Sequence, residues 1–106
     1  MRCLSEELES HTDESARRML QRHLRLFGRV QGVGLRWTAQ RIAAEFRVDG
    51  FVKNLSDGSV QLVVSGPGDQ VEGFLDALQQ ALPGHFDDIR DEAPLDAEFA
   101  GFEIRY

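Results

Sequence analysis

The stretch from Gly28 to Arg36 (GRVQGVGLR) places two glycines, Gly32 and Gly34, directly before an arginine. Glycine lets the backbone turn its N–H groups toward a ligand and lets that ligand approach closely. The first N–H groups of a helix lack intrahelical partners and carry partial positive charge, which suits a phosphate. Arg36 adds a planar fork of donors that can bind two phosphate oxygens. The stretch therefore indicates a phosphate-binding loop.

The position of Arg36 supports this interpretation. It stands in the first turn of an expected helix, where an exposed cation opposes the helix dipole by about 0.3–1 kcal/mol. No acidic residue occurs between Leu20 and Ala44 to offset it. A bound anion would remove the conflict, and such local departures are expected at functional sites. The alternative is a tight glycine turn beside a solvated arginine. Neither the GxGxxG pattern with its downstream acid nor GxxxxGK[ST] is present.

The spacing of apolar residues predicts the elements that must position this loop. Alternation with period two predicts strands, and stripes with period 3.6 predict helices. Asp57-Gly58 lies between two β-type runs and predicts a hairpin. The predicted elements are a strand at 23–30, a helix at 35–46, strands at 51–55 and 60–64, a helix at 68–82, a less distinct strand at 86–92 and a final strand at 101–106.

The order of these elements predicts an α+β fold. Each β-α-β unit requires a right-handed crossover, so both helices pack on one face of an antiparallel sheet. This arrangement is the ferredoxin-like βαββαβ sandwich. We assign it to residues 19–106 and treat residues 1–18, which are rich in Glu and Ser, as a polar N-terminal extension.

Composition limits the partners and the compartment. The chain has 106 residues and a net charge of −6, but residues 16–54 hold nine bases against two acids. A basic block inside an acidic protein favours a small anionic ligand over a nucleic acid. No apolar run approaches the ~20 residues needed to cross a bilayer, so we expect no membrane partner either. A single cysteine, Cys3, excludes a disulfide framework. Without an apolar secretory segment at the start, the sequence predicts a cytoplasmic protein. We expect a monomer, because small domains of this kind are often monomers.

Two segments together resemble the signatures of the acylphosphatase family. Residues 28–36 (GRVQGVGLR) are similar to its loop signature. Residues 50–54 (GFVKN), followed by 57–60 (DGSV), are similar to its second signature. Further matches extend the resemblance over residues 22–106: Gly66-Pro67 and the closing residues 102–106.

The resemblance has three departures. Leu35 stands where the family usually has Phe, a core change that should be tolerated, and Phe51 stands where Trp is common. Arg47 replaces a glycine that is usual at the end of the first helix. If that position needs a positive φ, arginine there costs about 1–2 kcal/mol.

The resemblance implies metal-independent hydrolysis of an acyl phosphate to a carboxylate and inorganic phosphate, with no cofactor. It implies that Asn54 orients the attacking water, although its place at a strand end is by itself more typical of a turn residue. The phosphoryl group would be held by the side chain of Arg36 and by the backbone of Gln31, Gly32, Val33, Gly34, Leu35 and Arg36.

Other candidate residues and functions are weaker. His11, His23 and His85 share no metal-ligand spacing, so no metal site is predicted. Trp37 lies off the helix stripe, and partial burial near the loop is a better explanation for it than binding. The alternative function is a non-catalytic anion- or RNA-binding module of the same fold. The run 59–65 has no aromatic residue on which RNA bases would stack, which argues against the RNA-binding version.

Overall fold

The computed structural model describes residues 18–106. The predicted extension therefore lies, except for Arg18, outside the described residues. The described elements in chain order are β1 (Met19–Gly28), α1 (Leu35–Ala43), β2 (Asp49–Asn54), β3 (Val60–Pro67), α2 (Gly68–Ala81), β4 (Phe86–Glu92) and β5 (Phe102–Arg105).

The five strands form one sheet in the order β4-β1-β3-β2-β5. The pairs β4-β1, β1-β3 and β3-β2 are antiparallel, as predicted, whereas β5 lies parallel to β2. The two last strands occupy opposite edges, so residues 93–101 must cross the sheet between them. In this segment the carbonyl oxygen of Leu95 accepts a hydrogen bond from Gln21 Nε2 at 3.2 Å, and Phe99 packs against Phe51. The ferredoxin-like α+β fold is confirmed, with β5 as a fifth strand that makes the sheet mixed.

The hydrophobic core lies between the sheet and the two helices. Alternate residues of the central strands face it, and each buried apolar side chain contributes about 1.5–3 kcal/mol relative to an exposed one. The largest of these is Phe74 of α2, which is fully buried. The core includes Val30 and Leu35, which flank the glycine loop in the chain.

The end of the first helix differs from the prediction. The α-helix stops at Ala43, and residues 44–47 continue as a turn that still packs Phe46 against the core. Among residues 18–106 only glycines have a positive φ, so Arg47 does not bear the expected steric cost. The N–H of Arg47 instead donates to Gln70 Oε1 at 3.0 Å. Phe46 also explains why a glycine stands inside α2 at position 73, because a Cβ on Gly73 would lie 2.7 Å from the Phe46 ring.

Candidate active site

The loop between β1 and α1 is fixed at both ends by buried side chains. Val30 is 1% exposed and Leu35 is 2% exposed, whereas the two glycines between them are exposed. Gly32 and Gly34 both have φ of 78°, a backbone conformation that residues with a Cβ rarely adopt. Apart from each glycine and its two chain neighbours, no protein atom lies within 4 Å of a Cβ built on either position. Backbone conformation, rather than crowding by protein atoms, therefore requires glycine at these positions.

The N-terminus of α1 is open to a ligand. Gly34 caps the helix in the left-handed conformation, and its carbonyl accepts the N–H of Thr38 at 2.9 Å. No side-chain hydrogen bond caps this helix end, and its first turn contains no acidic residue. The N–H groups of the first turn thus combine unpaired donors with the positive end of the helix dipole.

The C-terminal strand orients Arg36. Its guanidinium lies 4.7 Å from the centre of the Tyr106 ring, and Nη1 is 3.5 Å from the carbonyl oxygen of Arg105. Within residues 18–106, no carboxylate forms an ion pair with Arg36. The side chain is therefore positioned by a ring and a carbonyl while its positive charge stays available for an anion.

Asn54 is the last residue of β2, and its neighbour across the hairpin is Val60. Its half-buried carboxamide makes no hydrogen bond to any residue of the described chain. The turn is held by Asp57 instead, which accepts the backbone N–H of Ser59 at 2.9 Å and also its hydroxyl. These two bonds, with help from the charge of Arg25, lower the pKa of Asp57 below its usual 3.8. The carboxamide of Asn54 is thus free for a role other than the turn.

The side chain of Gln31 joins the glycine loop to this hairpin. Its Nε2 donates to Leu55 O and to Ser59 O, each at 2.8 Å. The two carbonyls flank the turn that follows Asn54, so one amide group fixes the distance between the two signature segments. Sequence reasoning assigned only the backbone of Gln31, because these contacts span 24 and 28 residues and leave no local pattern.

One pocket of about 260 Å³ brings most of the predicted site residues together. The side chain of Gln31 faces the hairpin, and Val33 packs against the core, so neither lines the pocket. Trp37 does line it and is 62% exposed, more than the partial burial that the sequence suggested. The lining residues are Val30, Gly32, Gly34, Leu35, Arg36, Trp37, Asn54, Ile104 and Tyr106.

A second depression in the described chain lacks this combination. This larger depression, of about 470 Å³, has Asp49 and Glu98 in its lining but no Lys or Arg, which makes it a poor site for an anion. In residues 18–106 no three His, Cys, Asp or Glu side chains come together where a metal ion would fit. The helices of the same residues are all too short or too polar to cross a membrane.

Comparison with known proteins decides the family. A statistical model described as acylphosphatase matches residues 22–104. The chain belongs to the acylphosphatase family. Its relatives include the acylphosphatase of Thermococcus kodakarensis, 46% identical over 58% of this chain and 67% of the relative. The acylphosphatase of Lactobacillus gasseri is 38% identical over 78% of this chain and 94% of the relative.

A solved structure agrees with the sequence relatives. The crystal structure of acylphosphatase from Bacillus subtilis superposes with a TM-score of 0.70 at 32% identity, over 84% of this chain and all of the other. Family membership confirms the enzyme class expected from the sequence, a hydrolase that acts on acyl phosphates.

Proposed function

We propose that this acylphosphatase binds the phosphoryl group of its substrate between the glycine loop and Arg36. The observation that carries the proposal is the shared pocket, which Gly32, Gly34, Arg36 and Asn54 all line. Backbone N–H groups from Gln31 to Arg36 donate to the phosphoryl oxygens, and the Arg36 guanidinium binds two of them. Phosphoryl transfer depends mainly on positioning and on charge stabilisation, and donors of this kind supply both.

In the proposed reaction, a water oxygen attacks phosphorus as the bond from phosphorus to the acyl oxygen breaks. The products are a carboxylate and inorganic phosphate. The leaving carboxylate is stable without protonation, so no acid is needed on that side. A phosphoryl oxygen takes the proton of the attacking water. No metal or cofactor takes part in this scheme.

Asn54 is the proposed positioning group for the attacking water. Its amide oxygen accepts one hydrogen bond from water, and its amide does not titrate, so it cannot serve as a base. This role is supported by the half-buried carboxamide, which has no hydrogen-bond partner in residues 18–106. Alignment of a nucleophile with the reacting atom removes a large part of a reaction barrier.

Replacement of Arg36 tests the phosphate site. Arg36→Ala removes two charge-assisted hydrogen bonds of about 1.5–3 kcal/mol each, so kcat/KM should fall by about 10²–10⁴-fold. Arg36→Lys keeps the charge but loses the planar fork, and should recover only part of the loss. The assay is benzoyl phosphate hydrolysis in excess chelator, with inorganic phosphate as competitive inhibitor. Arg36→Ala activity near the wild-type level would exclude the proposed role.

Replacement of Asn54 separates water positioning from phosphate binding. Asn54→Ala should lower kcat by about 10²-fold while the inhibition constant of phosphate stays within about twofold of wild type. This split between kcat and phosphate binding distinguishes Asn54→Ala from Arg36→Ala, in which both are lost. Full activity in Asn54→Ala would show that the carboxamide does not act on the water.

The partners and the extent of the enzyme are part of the same proposal. We propose a small-molecule acyl phosphate as substrate, a monomeric enzyme, and no nucleic-acid or membrane partner. The acidic net charge of −6 supports the exclusion of nucleic acid. We assign catalysis to residues 19–106 and place the enzyme in the cytoplasm, in keeping with a single cysteine. Sedimentation tests whether the enzyme is a monomer, and the activity of a chain that begins at Met19 tests the assignment of catalysis to residues 19–106.

A further inference from the structure

The pocket that holds Arg36 and Asn54 is also lined by two aromatic side chains. Among residues 18–106, four large hydrophobic side chains are exposed, and two of them, Trp37 and Tyr106, line this pocket. Trp37 is 62% exposed and Tyr106 is 90% exposed. The other two, Met19 and Leu20, line the separate depression of about 470 Å³.

Both aromatic rings are held in place by arginines of α1. The Arg36 guanidinium lies 4.7 Å from the centre of the Tyr106 ring, and the Arg41 guanidinium lies 5.2 Å from the Trp37 ring. Trp37 and Arg41 are four residues apart on the helix, so they share a face. Cation–π contacts of this kind restrict a ring without burying it. The large exposed fraction of Trp37 therefore leaves aromatic surface available to a ligand in the pocket.

An acyl phosphate combines an anionic and an uncharged part, as the pocket lining combines an arginine with aromatic side chains. Its phosphoryl end is anionic and matches the glycine loop with Arg36, while its acyl end is uncharged. We infer that Trp37 and Tyr106 form an acyl-group subsite that favours aromatic acyl phosphates over small aliphatic ones. The inference rests on the proposed function, because it takes the phosphoryl group to be held by Arg36.

The size of the pocket limits the acyl group. Its volume of about 260 Å³ lies below the ~300–1,000 Å³ that is typical of sites for drug-sized ligands. One aromatic ring next to a phosphoryl group suits this volume. A benzoyl-type substrate places its ring beside Trp37, whereas the methyl group of acetyl phosphate has little surface to contact the indole.

Comparison of two substrates tests the subsite. We measure kcat/KM for benzoyl phosphate and for acetyl phosphate in wild type, Trp37→Ala and Trp37→Phe. Trp37→Ala should lower the benzoyl-to-acetyl ratio about three- to tenfold, the range expected for one lost aromatic contact. Trp37→Phe should retain most of the ratio. Met19→Ala is the matched control, because it removes an exposed apolar side chain outside the pocket and should leave the ratio unchanged.

A binding measurement gives a second readout without turnover. Trp37 is the only tryptophan of the chain, so its fluorescence reports directly on this subsite. Phenylphosphonate should change the emission more strongly, and at lower concentration, than methylphosphonate. The inhibition constant of inorganic phosphate should be equal in wild type and Trp37→Ala, since the phosphate contacts are unchanged.

Three results would overturn the inference. One is a benzoyl-to-acetyl ratio in Trp37→Ala within twofold of wild type. Another is an equal fall in kcat/KM for both substrates in Trp37→Ala, together with weaker inhibition by phosphate. That result would mean that Trp37 supports the phosphate loop and does not contact the acyl group. If wild type hydrolyses neither substrate, the proposed function fails and the subsite fails with it; in the first two cases the proposed function still stands.

Discussion

The amide group of Gln31 gives the most specific link between the fold and the site. Gln31→Met keeps the length of the side chain but removes both hydrogen bonds from Nε2, to Leu55 O and Ser59 O. Each neutral hydrogen bond contributes about 1 kcal/mol net, so the free energy of unfolding should fall by about 2 kcal/mol. For a domain of this size, that corresponds to a melting temperature lower by about 8–16 °C.

Loss of the bridge should also change catalysis. The bonds hold the hairpin that carries Asn54 against the loop that leads to Arg36. A displacement of about 1 Å in a positioning group costs up to ~10²-fold in rate, so we expect kcat to fall at least about tenfold at 25 °C. The phosphate inhibition constant should change by less than about threefold, because the loop keeps its own backbone conformation.

Urea denaturation and benzoyl phosphate kinetics measure the two effects. Gln80→Met is the matched control, because it makes the same chemical change at an exposed position of α2 and should stay within about 0.5 kcal/mol of wild type. A Gln31→Met variant with wild-type stability would refute the energetic reasoning. A destabilised variant that keeps the full kcat when folded would refute the link to Asn54.

Two further predictions concern the loop and the hairpin. Gly34→Ala and Gly84→Ala both place a Cβ at φ of 78°, with no protein atom other than those of the residue and its chain neighbours within 4 Å. In urea denaturation each variant should therefore lose about 1–2 kcal/mol of unfolding free energy. Only Gly34→Ala should also weaken inhibition by phosphate. Equal phosphate inhibition in the two variants would contradict the loop assignment. The pKa of Asp57 is lowered, chiefly by the hydrogen bonds that its carboxylate accepts from Ser59. The ionised carboxylate therefore stabilises the fold fully at pH values above the pKa of Asp57 in the unfolded chain. This stabilisation is lost as the pH falls through the lower pKa of the folded state. The stability difference between wild type and Asp57→Asn should therefore be constant near neutral pH and shrink below about pH 4; a difference that is unchanged between pH 6 and pH 3 would contradict it.

Local patterns were sufficient for most of the fold. The alternation around His23–Val30 predicts β1, although the strand begins earlier, at Met19, because Met19 to Gln21 pair with the end of β3. The Asp57-Gly58 turn correctly predicts the β2–β3 hairpin. The parallel placement of β5 was not predicted, since it depends on the path of residues 93–101 across the sheet and no periodicity encodes that path.

The residues of the candidate site were also only partly predictable from local sequence patterns. The glycines are recognisable as a turn before a helix, and Arg36 is recognisable because a cation in the first turn opposes the helix dipole. The structure places them around one pocket with Asn54. The Gln31 bridge and the aromatic contacts of Trp37 and Tyr106 were missed. These contacts join segments that are distant in sequence, or depend on which way an exposed ring points, and neither property is visible in residue spacing.

A crystal structure of the enzyme with inorganic phosphate tests the central claim most directly. We predict a phosphate ion in the glycine loop, with two of its oxygens about 2.7–2.9 Å from the guanidinium nitrogens of Arg36. The carboxamide of Asn54 should face the phosphorus atom with room for one water between them. A phosphate bound elsewhere, or an Arg36 side chain turned away from the bound ion, would contradict the account.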